Sequence, residues 1–122
     1  GLGDLADVVK LLQRDPYTRQ AYLPVWFPED TGAHDGDGHP IRVPCTLGYH
    51  FMMNRKRELN MRYYIRSCDV RRHLTNDVYM ACRLLQWVAM QLPITVKPGR
   101  MVMHIGSLHA FRADTHWLEA LL

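Results

Sequence analysis

Several side chains that support covalent chemistry lie at or near the ends of predicted strands. Cys45 stands at the start of one apolar strand, and Arg66 and Ser67 lie at the end of the next strand along the chain. Asp69 follows just beyond that pair, and His109 comes after a Gly-Ser turn at the end of a later strand. A positive charge beside a thiol favours the thiolate, which is its nucleophilic form. This combination is typical of nucleophilic catalysis on an anionic substrate.

Each of these signals also has a plainer interpretation. A single cysteine in an apolar strand is more often a buried structural residue than a nucleophile, so the case for Cys45 depends on its neighbours. The loop at 28–40 offers His34, Asp35, Asp37 and His39 as metal ligands, but a solvated polar loop is favoured because their spacing matches no known metal site. We therefore predict no metal.

Two basic clusters could meet the phosphates of a nucleic acid, namely Arg55-Lys56-Arg57 and Arg71-Arg72. For the first cluster a solvated hairpin tip is favoured, because it joins two predicted strands. Nucleic acid is therefore not the partner that we expect.

The elements that must position these residues mix helices and strands without strict alternation. Apolar spacing of 3.6 predicts helices at 5–12, at 77–92 with Thr75 or Asn76 as its cap, and from 113 onward. Strands are predicted at 21–27, 43–54, 59–67 and 100–107, with a turn at 97–99. The fold class predicted is α+β, with a mixed or mostly antiparallel sheet and helices packed on it.

Length and composition agree with a packed domain. The 122 residues predict a single domain, and 48% hydrophobic with 22% charged residues argue against disorder. The formal net charge of +3 suits a small anionic ligand as well as nucleic acid. Three cysteines are too few for a disulfide scaffold. No apolar stretch approaches the roughly 20 residues of a membrane span, and no signal peptide is visible, so a cytoplasmic location is expected.

Four segments, in this order, resemble the thymidylate synthase family. That family includes thymidylate synthase and the hydroxymethylases that act on deoxycytidylate, deoxyuridylate or cytidylate. The segments are Asp15 to Gln20 with Trp26, Pro44-Cys45, Arg66-Ser67-Cys68-Asp69-Val70, and Pro98-Gly99 with Gly106-Ser107-Leu108-His109. The resemblance covers the chain from about Leu5 to its end and implies a thymidylate synthase-like fold that forms a homodimer through its sheet.

The resemblance also implies roles for individual residues. Cys45 matches the nucleophile that adds to carbon-6 of the pyrimidine, and Asp69 matches an acid on the base and folate side of the cleft. The matched ligands of the nucleotide are Arg66 and Ser67 for the phosphate, Arg19 for the partner subunit's phosphate, and His109 for the ribose.

Three positions depart from the family pattern. Gln20 replaces a second arginine that reaches the partner's phosphate, and Phe111 replaces a tyrosine aimed at the sugar. Counting without a gap from Arg66 places Asp77 where thymidylate synthase has an asparagine that recognises the base, whereas a shift of one residue would place Asn76 there. We prefer Asp77, because the hydrophobic positions that follow then stay in phase.

The choice between Asp77 and Asn76 determines which base the site is expected to recognise. An asparagine amide can donate to the carbonyl of uracil and accept from its ring N–H. A carboxylate accepts from the amino group of cytosine, and from its ring nitrogen once that nitrogen is protonated. The resemblance implies that aspartate at this position is a cytosine signature, as in the cytidylate hydroxymethylases.

These observations predict a transferase that adds a one-carbon group to C5 of a pyrimidine nucleoside monophosphate, with 5,10-methylenetetrahydrofolate as its cofactor. The prediction leans toward a cytidylate or deoxycytidylate hydroxymethylase. One alternative is a thymidylate synthase acting on dUMP. The other is a non-catalytic relative that binds nucleotides or RNA through Arg19, Arg66, Arg71 and Arg72. The family's N-terminal part carries a phosphate-binding arginine loop and a glutamate used in proton transfer, and neither has a counterpart here. We therefore expect the chain to be a fragment, a partial catalytic domain.

Overall fold

The computed structural model describes residues 2–122, which form three helices and one sheet. Single turns of 3₁₀ helix lie at Pro28–Asp30 and Arg112–Asp114. The main elements, in chain order, are α1 (Leu2–Arg14), β1 (Tyr22–Pro24), β2 (Thr46–Met53), β3 (Glu58–Asp69), α2 (Leu74–Met90), β4 (Lys97–His109) and α3 (Thr115–Leu121). The α+β class predicted from the sequence is confirmed.

The four strands lie side by side in the order β1-β2-β3-β4. β1 with β2 and β2 with β3 are antiparallel, whereas β3 and β4 are parallel and are joined through α2. The sheet is therefore mixed, as predicted. Because β2 runs opposite to β3 and β4, the start of β2 lies at the same edge as the ends of β3 and β4.

The core lies on one face of the sheet. Every second residue of β3 from Leu59 to Ile65 is buried, and so are Ala81, Leu85 and Val88 of α2. Complete burial of a side chain such as Leu59, Met61 or Val88 contributes about 1.5–3 kcal/mol to the stability of the fold. Alternation along a strand places the intervening residues on the opposite face. On that face Tyr64 stacks on His104 with ring centres 4.9 Å apart, and Val102 is 46% exposed.

Several element boundaries differ from the sequence prediction. α2 begins at Leu74 rather than at 77, and its N-cap is His73 rather than Thr75 or Asn76. The helix starts early because the backbone N–H of Asp77 donates to the His73 carbonyl at 2.8 Å, which closes the first turn. Asp77 therefore lies inside the helix, in its first turn.

The predicted turn at 97–99 is also wrong, because these residues belong to β4. The Lys97 N–H donates to the Arg57 carbonyl at 3.0 Å, which pairs the strand with the hairpin from its first residue. At the other end of the sheet, β2 begins at Thr46 rather than at 43, so Cys45 directly precedes the strand.

Across residues 2–122, no helix has the length and apolar character that would be needed to cross a membrane.

Candidate functional site

A cavity of about 330 Å³ opens at the edge where β2 begins and where β3 and β4 end. Its lining comes from the loop before β2, from these strands, from the start of α2 and from the segment after β4. The lining residues are Arg42, Cys45, Thr46, Ile65, Ser67, Asp69, His73, Asp77, His109 and Phe111. Five of the seven predicted site residues are among them.

Cys45 is exposed at this cavity and is held by the end of β3. The Arg66 N–H donates to the Cys45 carbonyl at 2.9 Å, and Arg66 Nε donates to the Pro44 carbonyl at 3.0 Å. The Arg66 guanidinium lies 5.4 Å from the ring centre of Trp26. Arg66 was expected beside the thiol, and the structure shows its Nε bound to the neighbouring carbonyl. The side chain thus fixes the Pro-Cys segment rather than lining the cavity.

Gly106 explains how β4 comes close to Arg66. A Cβ at this glycine would lie 2.8 Å from the Arg66 carbonyl oxygen, nearer than real Cβ atoms approach. The absence of a side chain therefore lets the end of β4 pack against the end of β3, which carries the site residues.

Asp77 lies in the cavity wall, and its carboxylate contacts Cys68 of β3. The Cys68 Sγ is 3.5 Å from Asp77 Oδ2, in donor geometry, and Cys68 is 2% exposed. Burial raises the pKa of the Cys68 thiol to about 11, and Asp77 adds to the shift, so this thiol keeps its proton. Asn76, the other candidate for base recognition, is exposed and is not among the residues that line this cavity.

Asp69 is 3% exposed and is surrounded by donors. Its Oδ1 accepts from the backbone N–H groups of Arg71 and Arg72 at 2.9 and 3.1 Å, and its Oδ2 accepts from the Arg72 guanidinium at 3.2 Å. Burial alone would raise the pKa of Asp69. The hydrogen bonds from the Arg72 and Arg71 backbone, with the Arg72 guanidinium, outweigh burial and lower the pKa below its ordinary value. Asp69 is therefore a charged acceptor in the cavity wall.

Arg71 and Arg72 also bind Asp114, at the end of the 3₁₀ turn after β4. Asp114 is 3% exposed; Arg71 contacts its Oδ1, and the Arg72 guanidinium lies 2.8 Å from its Oδ2. The same two guanidinium groups lie over aromatic rings, Arg71 over Trp117 at 5.8 Å and Arg72 over Phe111 at 4.9 Å. This pair, considered above as a phosphate contact, is thus engaged with the protein itself.

His109 and Arg19 occupy different places. His109 ends β4 and lines the cavity, with its ring 5.8 Å from that of Phe111 in an edge-on arrangement. Arg19 is exposed, is not among the residues that line this cavity, and accepts at its carbonyl from His50 Nε2 at 2.9 Å. The structure therefore brings Cys45, Ser67, Asp69, Asp77 and His109 to one cavity and leaves Arg19 and the Arg66 side chain outside its lining.

Sequence reasoning did not single out three polar lining residues, Arg42, Thr46 and His73. Thr46 Oγ1 lies 2.8 Å from the Tyr63 hydroxyl, and burial raises the pKa of Tyr63, so this hydroxyl stays protonated. Arg42 lies in an irregular loop, where periodicity gives no signal. Only its position shortly before Cys45 in the sequence indicates that it lies near the cavity.

Three of the four loop residues considered as metal ligands come together, and His34 is not part of the cluster. Ligand atoms of Asp35, Asp37 and His39 lie within 4.8 Å of one another, and all three residues are exposed. Asp35 Oδ1 accepts from the backbone N–H groups of Asp37 and His39, each at 2.9 Å. The hydrogen bonds of a polar turn account for this cluster.

Comparison with known proteins gives consistent results. The family model described as thymidylate synthase matches residues 1–122. A thymidylate synthase of Novosphingobium aromaticivorans is 30% identical over 122 residues, which are 100% of this chain and 36% of that protein. A thymidylate synthase of Rhodopseudomonas palustris is 26% identical over 107 residues, 88% of this chain and 33% of that protein. The chain spans about a third of the length of these relatives.

Proposed function

The chain belongs to the thymidylate synthase family, and from that premise we propose that it is the part of a pyrimidine nucleotide one-carbon transferase that carries the nucleophile and recognises the base. The observation that supports this most directly is the convergence on one cavity of an exposed thiol, Cys45, with the two carboxylates Asp69 and Asp77. A volume of about 330 Å³ lies at the low end of the roughly 300–1,000 Å³ typical of ligand pockets, so it suits one nucleotide.

The proposed reaction uses covalent catalysis by Cys45. Its thiolate adds to C6 of the pyrimidine, which forms an S–C6 bond and moves the C5–C6 π electrons toward C5. C5 then becomes nucleophilic enough to form a carbon–carbon bond to a one-carbon group, whose bond to its donor breaks. Loss of the C5 proton, addition of water (hydroxymethylation) or hydride (methylation) to the new carbon, and elimination of the thiolate restore the ring. Two easier steps thus replace one difficult substitution.

Phosphate binding is proposed for the basic and hydroxyl groups nearest Cys45. Ser67 lines the cavity and offers a hydroxyl. Arg42 is a further basic residue of the same lining, while Arg66 keeps its two terminal nitrogens beyond the Nε that binds Pro44. Guanidinium groups match phosphate geometry through paired N–H donors. His109 is proposed to contact the ribose, and Arg19 to reach the phosphate bound by a partner subunit.

Asp77 supports a cytosine base. Its carboxylate accepts from an exocyclic amino group and offers no donor to the carbonyl at the same place in uracil. Cytidylate or deoxycytidylate is therefore the proposed substrate, and hydroxymethylation the proposed outcome, by resemblance to the cytidylate hydroxymethylases. The main alternative is methylation of dUMP, which the names of the two relatives favour. A role limited to binding nucleotides or RNA has less support, because Arg71 and Arg72 are paired with Asp69 and Asp114.

The residues on one side of the cavity fit part of a folate. Phe111 is 55% exposed, so its ring keeps accessible surface for stacking although the Arg72 guanidinium lies over it, and Asp69 is a charged acceptor in the same lining. We propose 5,10-methylenetetrahydrofolate as the cofactor; when bound, it supplies the one-carbon group. The cavity volume is taken up by one nucleotide, so these two residues border the folate rather than enclose it.

The uncovered face of the sheet supports a homodimer. Tyr22, at 42% exposure, and Val102, at 46%, lie on that face with the stacked Tyr64–His104 pair. A sheet face with exposed aromatic and aliphatic side chains suits burial against a second copy of itself. This arrangement agrees with the sheet-mediated dimer that the family resemblance implies.

The test is substitution of the nucleophile in the full-length protein that contains this chain. Cys45→Ser should abolish release of tritium from C5-labelled nucleotide, because a hydroxyl is a far weaker nucleophile than a thiolate at neutral pH. Cys82→Ser, at a half-buried position on α2 away from the cavity lining, is the matched control and should retain release. Tritium release that persists in Cys45→Ser would remove the catalytic assignment.

A further inference from the structure

Cys68 is buried beside the carboxylate that the proposed function assigns to base recognition. Its exposure is 2%, so its thiol proton finds its acceptors within the protein. Two acceptors are within reach: Asp77 Oδ2 at 3.5 Å and the Asp69 carbonyl at 3.9 Å. The Asp77 oxygen is nearer and belongs to an ionisable carboxyl group, so it is the stronger acceptor.

Asp77 reaches the cavity from the first turn of α2, where its backbone fixes the Cα but leaves the carboxyl group free to rotate. A thiol hydrogen bond to Oδ2 restricts that rotation and leaves Oδ1 for a ligand in the cavity. Since burial and the neighbouring carboxylate keep the thiol protonated at neutral pH, it acts as a donor rather than as a second anion.

We propose that Cys68 is a positioning residue for Asp77, and that it sets the selectivity for cytosine by orienting the carboxylate toward the exocyclic amino group. The inference rests on the proposed function for the identity of the base. The contact itself can be tested without any substrate.

The contact is tested first by infrared spectroscopy of the unliganded protein. The S–H stretching band of a thiol that donates a hydrogen bond lies at lower frequency than that of a free thiol. We expect Asp77→Ala to shift the Cys68 band to higher frequency, with Cys68→Ala used to assign the band. A Cys68 band that stays in place in Asp77→Ala would overturn the proposed contact, whatever the protein binds.

Selectivity is tested by the ratio of kcat/KM for the cytosine nucleotide to that for the uracil nucleotide in the full-length protein. Cys68→Ala should lower this ratio about fivefold, the size expected when one modest hydrogen bond is lost. Cys68→Ser keeps a donor of similar size and should restore most of the ratio. In an Asp77→Ala background, Cys68→Ala should leave the ratio unchanged, because the residue through which it acts is gone.

A ratio that Cys68→Ala leaves unchanged would overturn the inference. If the ratio is unchanged because kcat/KM falls equally on both nucleotides, the role of Cys68 is in folding alone, and thermal midpoints of Cys68→Ala and Cys68→Ser would report that role separately. If the unsubstituted protein binds neither nucleotide or prefers uracil, the proposed cytosine specificity fails instead. The infrared result still decides whether Cys68 holds Asp77.

Discussion

The carboxylates of Asp69 and Asp77 line the same cavity, but the hydrogen-bond donors around them differ. Asp69 accepts from three N–H groups of the turn that follows it, which occupy three of the roughly four acceptor sites of a carboxylate. The Asp77 carboxylate contacts the Cys68 thiol, which is a weak donor. Asp77 thus has the greater capacity left for a ligand, and Asp69 is the carboxylate that the protein holds in place.

The first prediction concerns the base. Asp77→Asn should shift the preference from the cytosine toward the uracil nucleotide by about ten- to a hundredfold. The Asp77 carboxylate facing the carbonyl of uracil leaves two acceptors unpaired, which costs about 1–3 kcal/mol. The amide of the asparagine variant donates to that carbonyl and removes this cost. The measurement is the ratio of catalytic efficiencies on the two nucleotides.

Asn76→Ala is the matched control, since Asn76 is the neighbouring exposed residue and is not in the cavity lining. It should change the ratio little. If Asn76→Ala removes base discrimination while Asp77→Asn preserves it, the alignment to the family is off by one and the cytosine assignment falls.

The second prediction concerns the pH dependence of stability. The folded pKa of Asp69 is below its ordinary value, so its contribution to stability is present above the ordinary pKa of about 4 and is lost as the pH falls through the folded value. Asp69→Asn should therefore lower the urea midpoint near pH 6 and lose its effect at the most acidic pH at which the protein folds. Asp7→Asn, at an exposed pair, should show little effect throughout. A deficit in Asp69→Asn that is constant with pH would contradict this account.

At the scale of elements, a network of ion pairs ties the start of α2 to the chain after β4. It consists of Asp69, Arg71, Arg72 and Asp114, and its member Asp69 lines the cavity together with His73, His109 and Phe111. Arg72 contacts both carboxylates, so the two segments are held in one arrangement. The cavity depends on this network because its two sides come from residues about 40 positions apart.

The third prediction is that Asp114→Ala destabilises the protein by about 1–3 kcal/mol. Removal of one partner of a buried ion pair costs about 3–5 kcal/mol, but the guanidinium groups of Arg71 and Arg72 are 38% and 46% exposed, so water replaces part of what they lose. Asp7→Ala is the control, since Asp7 and Lys10 are about three-quarters exposed and their pair is worth under about 0.5 kcal/mol. Equal free energies of unfolding for the two variants would show that the network contributes no more than a surface pair.

At the scale of the whole molecule, the two faces of the sheet differ. One face packs on the helices through the buried residues of β3 and α2. The other holds Tyr22, Tyr64, Val102 and His104 without burying them fully. A sheet with one covered face leaves the second for solvent or for another sheet.

The fourth prediction is that Val102→Arg on this face lowers the oligomeric state of the protein in solution. Two copies packed sheet to sheet would bring the new charges into a dry interface, which is costly. Met90→Arg is the control, because Met90 is 77% exposed on α2 and not on the sheet. Sedimentation at high concentration is the measurement. An unsubstituted protein that sediments as a monomer, or a Val102→Arg protein that stays dimeric, would exclude this interface.

Local pattern was sufficient for the kinds of element. The strand predicted at 59–67 and the helix predicted at 77–92 do supply buried core residues, because burial selects the same periodicity wherever a strand or helix packs. The order of short motifs pointed to the family, since each motif is local and survives without knowledge of contacts. Boundaries were less accurate: α2 begins three residues before the predicted start, where a backbone hydrogen bond replaced a side-chain cap.

Only the tertiary structure decided which residues meet. Arg71 and Arg72 could be taken as phosphate ligands until Asp114, more than 40 residues later, was seen between them. Arg42 joins the cavity from an irregular loop, and Cys68, which the sequence marks only as a small buried residue, contacts Asp77. Such contacts depend on the packing of strands and helices that are distant in sequence, whereas periodicity reports only which face of its own element a residue occupies.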